Sequence, residues 1–209
     1  VPDPVHREMR GRSLSPSAFT LFAGFDCEPD ALGFTQPTTF LLRDLDVSDR
    51  VLSRMEALPI GNQPMVLSCY DVADPDFSPP GTCQANIVTL KYGRTWLKVP
   101  PEAYHRVKFQ CAEEMLQRVE EIYPRVRGHI EELEIATPMT HMRYLGHPEG
   151  AIYGYEQYTK DSMFFQPGRY SPIQGLYFAS GWVGDCGFHP TLQAGLTAAK
   201  SIVRTLERE

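Results

Sequence analysis

The chain has 209 residues, enough for one large domain or two small ones, and its 42% hydrophobic and 22% charged content is that of a folded soluble protein rather than a disordered, collagen-like or coiled-coil one. Twenty Lys and Arg against 26 Asp and Glu give a net charge of −6, a poor footprint for nucleic acid. No run of apolar residues is long enough to span a bilayer, and no basic-then-apolar leader opens the chain, which starts Val1-Pro2-Asp3-Pro4 without Met and so reads as processed or excised from something longer. Its five cysteines, Cys27, Cys69, Cys83, Cys111 and Cys186, are odd in number, widely spaced and free of any C-x-x-C, which points to free thiols in a reducing, cytoplasmic setting.

Residues 1–12 are polar and basic and read as a linker or arm. Ser17 to Phe25 is rich in aromatic and apolar residues and predicts a mostly buried strand; Thr38 to Arg43 predicts a second. Ser48 or Asp49 can cap a short helix carrying Val51, Leu52, Met55 and Leu58, closed by Pro59 and Gly61. Pro64 to Tyr70 and Ala85 to Lys91 are further strands, separated by a stiff turn-forming loop over 74–81. The clearest helix runs from Pro101 to Tyr123, with Val107, Cys111, Met115, Val119 and Ile122 on one apolar stripe and Pro124 as its stop. Glu131 to Ala136 predicts a strand and Thr137 to Leu145 a short helix. The end of the chain predicts a strand at Leu176 to Ala179, a glycine-rich turn, and a helix from Pro190 to Leu206. Strands and long helices mix without the strict alternation of a doubly wound sheet, so the fold class is α+β with a mixed sheet.

The last strand–turn–helix has the chemistry. Gly181, Gly184 and Gly187 allow close backbone approach, and a helix starting there aims unpaired N–H groups at whatever occupies the turn. The residues leave two readings open: a site for a ligand that carries or develops negative charge, or a buried strand–helix unit with a tight turn. The G-x-G-x-x-G fingerprint of a dinucleotide site is absent, so a dinucleotide would find only part of its site here. Cys186 and His189 form a lone C-x-x-H, and no metal site is expected. Tyr153, Tyr155, Tyr158, Phe164 and Phe165 either line an apolar cleft or are plain core. His141, Arg143, Tyr144 and His147 make a polar cluster, and the glutamates at 113, 114, 120 and 121 decorate a solvated helix face.

Several blocks together resemble one family. Ala136-Thr137-Pro138-Met139-Thr140, Arg143-Tyr144-Leu145-Gly146, Gly150-Ala151-Ile152-Tyr153-Gly154, Gly175-Leu176-Tyr177 and Cys186-Gly187-Phe188 look like the C-terminal part of the phytoene desaturase, carotenoid isomerase and retinol saturase family. Leu14-Ser15-Pro16-Ser17, Phe25, Asp74-Pro75 and Pro79-Pro80-Gly81 agree with it. The resemblance implies a FAD-dependent oxidoreductase acting on carbon–carbon bonds of an apolar polyene or lipid-like substrate, by desaturation, saturation or isomerisation. It implies that 13–155 is a substrate-binding domain and 156–209 the closing strand–turn–helix of a Rossmann-like FAD-binding domain. An N-terminal FAD-binding half is then supplied from outside this sequence, in the same or a separate chain, and 209 residues alone would be inactive. It also leaves room for peripheral contact with a membrane. Gly181, Trp182, Asp185, Gly187, Phe188, Thr191 and Leu192 would meet the flavin, with Thr191 as a hydroxyl contact or an N-cap, and Tyr153, Tyr155 and Phe164 would meet substrate. Relatives carry an acid shortly after the final strand where this chain has Ser180-Gly181-Trp182; either Asp185 takes that role or Trp182 covers the flavin without it. No residue stands out as a catalytic acid or base. The alternative function is a non-catalytic module binding an apolar ligand or a partner.

Overall fold

A computed structural model of the chain describes Asp3 and residues 10–43, 50–156, 158, 171, 173–183 and 187–207. β1 (Ser17–Phe25), the strand predicted from the aromatic run, pairs on both sides, with side chains alternating across the sheet. Phe19, Leu21, Ala23 and Phe25 point into the core. The other strands are β2 (Thr38–Leu41), β3 (Met65–Ser68), β4 (Cys83–Lys91) and β5 (Ile130–Ala136), in sheet order β2-β3-β4-β1-β5. The α+β class holds. Every pairing among the described residues is antiparallel, however, rather than the mixture expected, because strand direction is set by how each connection returns and not by the apolar pattern of the strand itself.

The helices are α1 (Pro29–Leu32), α2 (Arg50–Glu56), α3 (Gly93–Trp96), α4 (Pro101–Glu120), α5 (Pro138–Leu145) and α6 (Phe188–Leu206). The caps predicted for α2, Ser48 and Asp49, lie outside the described residues. On α4, Cys111, Met115, Leu116 and Val119 are buried in one cluster with the inward residues of β1, β3 and β4. Ile122 was placed on the same stripe, but the helix ends at Glu120, two residues earlier, and Ile122 is 54% exposed. At α5 the Thr137 hydroxyl accepts from the N–H groups of Met139 and Thr140, and Thr140 Oγ1 accepts from the Thr137 N–H, a reciprocal cap that fixes the start of the helix.

Two buried cations knit the core to its loops. Lys91, wholly enclosed, donates from Nζ to the carbonyls of Arg54, Ala57 and Pro59 at 2.8–3.0 Å, so an ammonium's three donors meet three acceptors at the end of α2. Burial pulls its pKa down to about 8. Arg118 of α4 donates to the carbonyls of Leu41, Gly61 and Gln63, tying the helix to β2 and to the loop before β3.

The chain divides into two compact units: Ser17–Gly150, which contains the sheet and α1 to α5, and a second made of Val1–Pro16 with Ala151–Glu209. In the second, residues 13–16 run antiparallel to 152–156 through a Leu14–Tyr155 bridge, with Ser15 N donating to Gly154 O at 3.0 Å and Glu156 N to Ser13 O at 2.8 Å. The strand expected at Leu176 to Ala179 does not form. No partner strand lies beside it among the described residues, and without one an extended run has no ladder. The last helix starts at Phe188, two residues before the predicted Pro190. None of its residues is buried, and Phe188, Leu192, Leu196, Val203 and Leu206 share one exposed face at 100° per residue. No helix among the described residues is long and apolar enough to cross a membrane.

Candidate functional site

The turn ahead of α6 is built from three short segments of its own unit. Gly154 packs against Gly181 and Trp182 so closely that a Cβ on it would stand 2.8 Å from the Gly181 carbonyl oxygen. The Trp182 ring meets Tyr155 edge to face at 5.1 Å between centroids, and the Arg12 guanidinium lies over Tyr155 at 5.0 Å. Gly181 in turn approaches the Thr191 hydroxyl, the nearest atom to a Cβ built there at 3.2 Å. The structure therefore brings together Gly181, Trp182, Thr191 and Tyr155 from the residues singled out in the sequence. Asp185 and Phe164 lie outside the described residues.

Gly187 precedes α6 at φ 112°, a conformation that favours glycine, and gives the helix no side-chain cap. Of the two readings the sequence left for Thr191, hydroxyl contact or N-cap, the cap does not hold, since Gly187 takes that position. Thr191 sits in the second turn, where its Oγ1 donates back to the Gly187 carbonyl at 2.8 Å. Phe188 at 87% exposure and Leu192 point outward beside it. Among the described residues no side chain caps the start of this nineteen-residue helix, and its dipole favours a polar or anionic neighbour. Tyr153 is half-buried, its backbone N–H donating to Ser15 Oγ at 3.1 Å.

A second concave feature lies within Ser17–Gly150, on the sheet face opposite the core. Register alone assembles it: Phe40, Val66, Val88, Thr20 and Ala136 stand in one cross-strand row, and Ser68, Asn86, Phe22 and Glu134 in the next. Above the second row opens a cavity of about 400 Å³ lined by Phe22, Tyr70, Phe77, Gln84, Asn86 and Glu132 among others. Tyr70 and Phe77 meet edge to face at 5.6 Å. An aromatic wall with a few polar groups is the common make-up of a small-molecule site. None of these residues was singled out in the sequence, although the alternation of β1 puts Phe22 on the face opposite Phe19, Leu21 and Ala23.

The polar cluster around α5 disperses. Tyr144 is 79% exposed with Arg143 over its ring, while His141 is half-buried, with its Nε2 buried and without a partner among the described residues. Burial holds the His141 pKa below the ordinary 6.5.

The aromatic-lined hollow on the sheet face of one unit and the glycine turn leading into α6 in the other are the two candidate sites among the described residues. No protein-family model matches the chain. Its sequence is similar to prolycopene isomerases, 30% identical over 132 residues to that of Daucus carota (63% of this chain, 20% of that protein) and 29% identical over 123 residues to that of Arabidopsis thaliana (58% and 20%). It is also 23% identical over 220 residues to all-trans-retinol 13,14-reductase of Danio rerio, covering 95% of this chain and 35% of that one. A crystal structure of an oxidoreductase from Methanosarcina mazei matches with a TM-score of 0.44 at 16% identity, over 97% of this chain and 37% of that one. The resemblance read from the sequence is borne out: the relatives are those of the carotenoid isomerase and retinol saturase family. The chain spans between about a fifth and a third of the length of the curated relatives it matches.

Proposed function

We propose that the chain is the C-terminal part of a FAD-dependent oxidoreductase that acts on carbon–carbon bonds of an apolar polyene or lipid-like substrate. Residues 13–155 serve as the substrate-binding domain, and 156–209 return to the flavin-binding domain. The observation that carries this is α6: a helix whose apolar residues are exposed and which, among the described residues, has no side-chain cap, in a sequence similar to prolycopene isomerases and retinol reductases. A bare amphipathic helix needs a covering surface, and we assign that surface to an N-terminal FAD-binding half.

The residues present fit a flavin in their chemistry. Gly181 and Gly187 keep side chains away from the turn, the N–H groups of Phe188 and His189 open α6, and Trp182 offers a flat apolar surface. Oriented N–H dipoles at such a helix start would stabilise negative charge on the cofactor's polar edge. When bound, the flavin supplies the hydride chemistry. The chain's own part is to hold it, to orient the substrate and to exclude water, and we assign it no general acid or base. The open sheet face, with Phe22, Val66, Val88, Tyr70 and Phe77, supports an apolar ligand in the substrate domain.

The test is the complete protein, purified with the sequence that precedes this chain. It is expected to show the visible absorbance of oxidised flavin, to release FAD on denaturation, and to convert a poly-cis carotene or a retinol-type polyene. A colourless protein that takes up no added FAD overturns the flavin assignment. A flavin-loaded protein that leaves both polyenes unchanged overturns the substrate class.

A further inference from the structure

At the end of β1 the pairing with β5 shifts register between Gly24 and Phe25, and this brings Asp26 opposite His129. The Asp26 N–H donates to the His129 carbonyl at 3.2 Å, and the His129 Nδ1 lies 2.7 Å from Asp26 Oδ1. Cys27 follows as a free thiol. One carboxylate oxygen, one imidazole nitrogen and the Cys27 Sγ all lie within 4.8 Å of one another, with Asp26 exposed and the other two half-buried, so the cluster is open to solvent ions.

We propose that Asp26, Cys27 and His129 form a zinc site, with water as the fourth ligand, that clips the end of β1 to the start of β5. Sulfur, nitrogen and oxygen donors in one set suit Zn²⁺, and bonds of about 2.0–2.3 Å would hold the ligand atoms roughly 3.3–3.8 Å apart. The three groups reach that spacing by small side-chain rotations that open the Asp26–His129 hydrogen bond. On binding, the Cys27 S–H bond breaks, the Zn–S bond forms, and the proton passes to the buffer; no electrons are exchanged. Two other charges bear on Cys27. Glu28 is engaged with the Gly81 N–H at 2.7 Å, and Arg125 is a positive charge that the incoming cation must tolerate.

Cobalt is the probe. The full chain, reduced and stripped of metal, is titrated with Co²⁺ and then with Zn²⁺. The expected result is a thiolate-to-cobalt charge-transfer band saturating at one equivalent, bleached by Zn²⁺ and abolished in Cys27→Ala. In His129→Ala and Asp26→Asn, which keep the test open should Cys27→Ala misfold, affinity falls by about tenfold or more. Arg125→Ala is expected to tighten binding. The proposal is overturned if the intact chain gives no such band, if the band persists in a folded Cys27→Ala protein, or if His129→Ala binds as tightly as the parent.

Discussion

His141 is a residue whose protonation state the fold dictates. Its Nε2 is buried without a partner among the described residues, and burial depresses its pKa below 6.5, so the folded state keeps the ring neutral where the unfolded chain would take up a proton. As pH falls below 6.5, the unfolded state binds more protons than the folded one, and stability declines until the folded-state pKa is reached. Denaturant melts taken at successive pH values are expected to show this decline. His141→Leu, which cannot titrate, is expected to flatten it in that window; an unchanged slope would remove His141 as its source. The sequence pointed to His141 only as one of a polar group with Arg143, Tyr144 and His147. Which of the four would be turned inward depends on the angle at which α5 meets the sheet, and that is not a local property.

At the scale of elements, the long helix shows what periodicity settles well. Val107, Cys111, Met115 and Val119 were legible as one stripe, and the structure buries Met115 and Val119 completely. Met115→Ala is expected to cost about 2–5 kcal/mol, measured by chemical denaturation, because a cavity opens where helix and sheet interdigitate. The strands β1 and β4 were also readable, since β-branched and aromatic runs bounded by turn residues have few alternatives, and β5 was readable from the alternation of Leu133, Glu134 and Ile135. Leu176 to Ala179 shows the opposite case. Its composition suits a strand, but a strand exists only when another supplies its hydrogen bonds, and none does so among the described residues. Of the two readings of Thr191, hydroxyl contact or N-cap, the cap fails for a related reason: Gly187 starts the helix early enough to carry the threonine into the second turn, where its hydroxyl donates to the backbone of its own helix.

For the molecule as a whole, the main hydrophobic cluster is drawn entirely from residues within Ser17–Gly150. A polypeptide of residues 17–150 is therefore expected to unfold cooperatively on its own, with denaturant or heat, and a broad non-cooperative melt would show that the rest of the chain is needed. Among the described residues, the remaining unit has the unburied helix α6 and contributes none of the residues of that cluster.

Composition, periodicity and turn residues were enough to specify the α+β class and most element positions, because those depend on neighbours a few residues apart; the family resemblance rested instead on short blocks such as Ala136–Thr140 and Gly150–Gly154. Only the tertiary structure decided that every strand pairing among the described residues is antiparallel, that Phe22, Tyr70 and Phe77 share one hollow, that Arg12 and Gly154 pack around Tyr155 and Trp182, and that Asp26 and Cys27 meet His129. Those groupings join residues far apart along the chain, 103 positions in the case of Asp26 and His129, and such proximity is set by strand register and packing rather than by any local pattern.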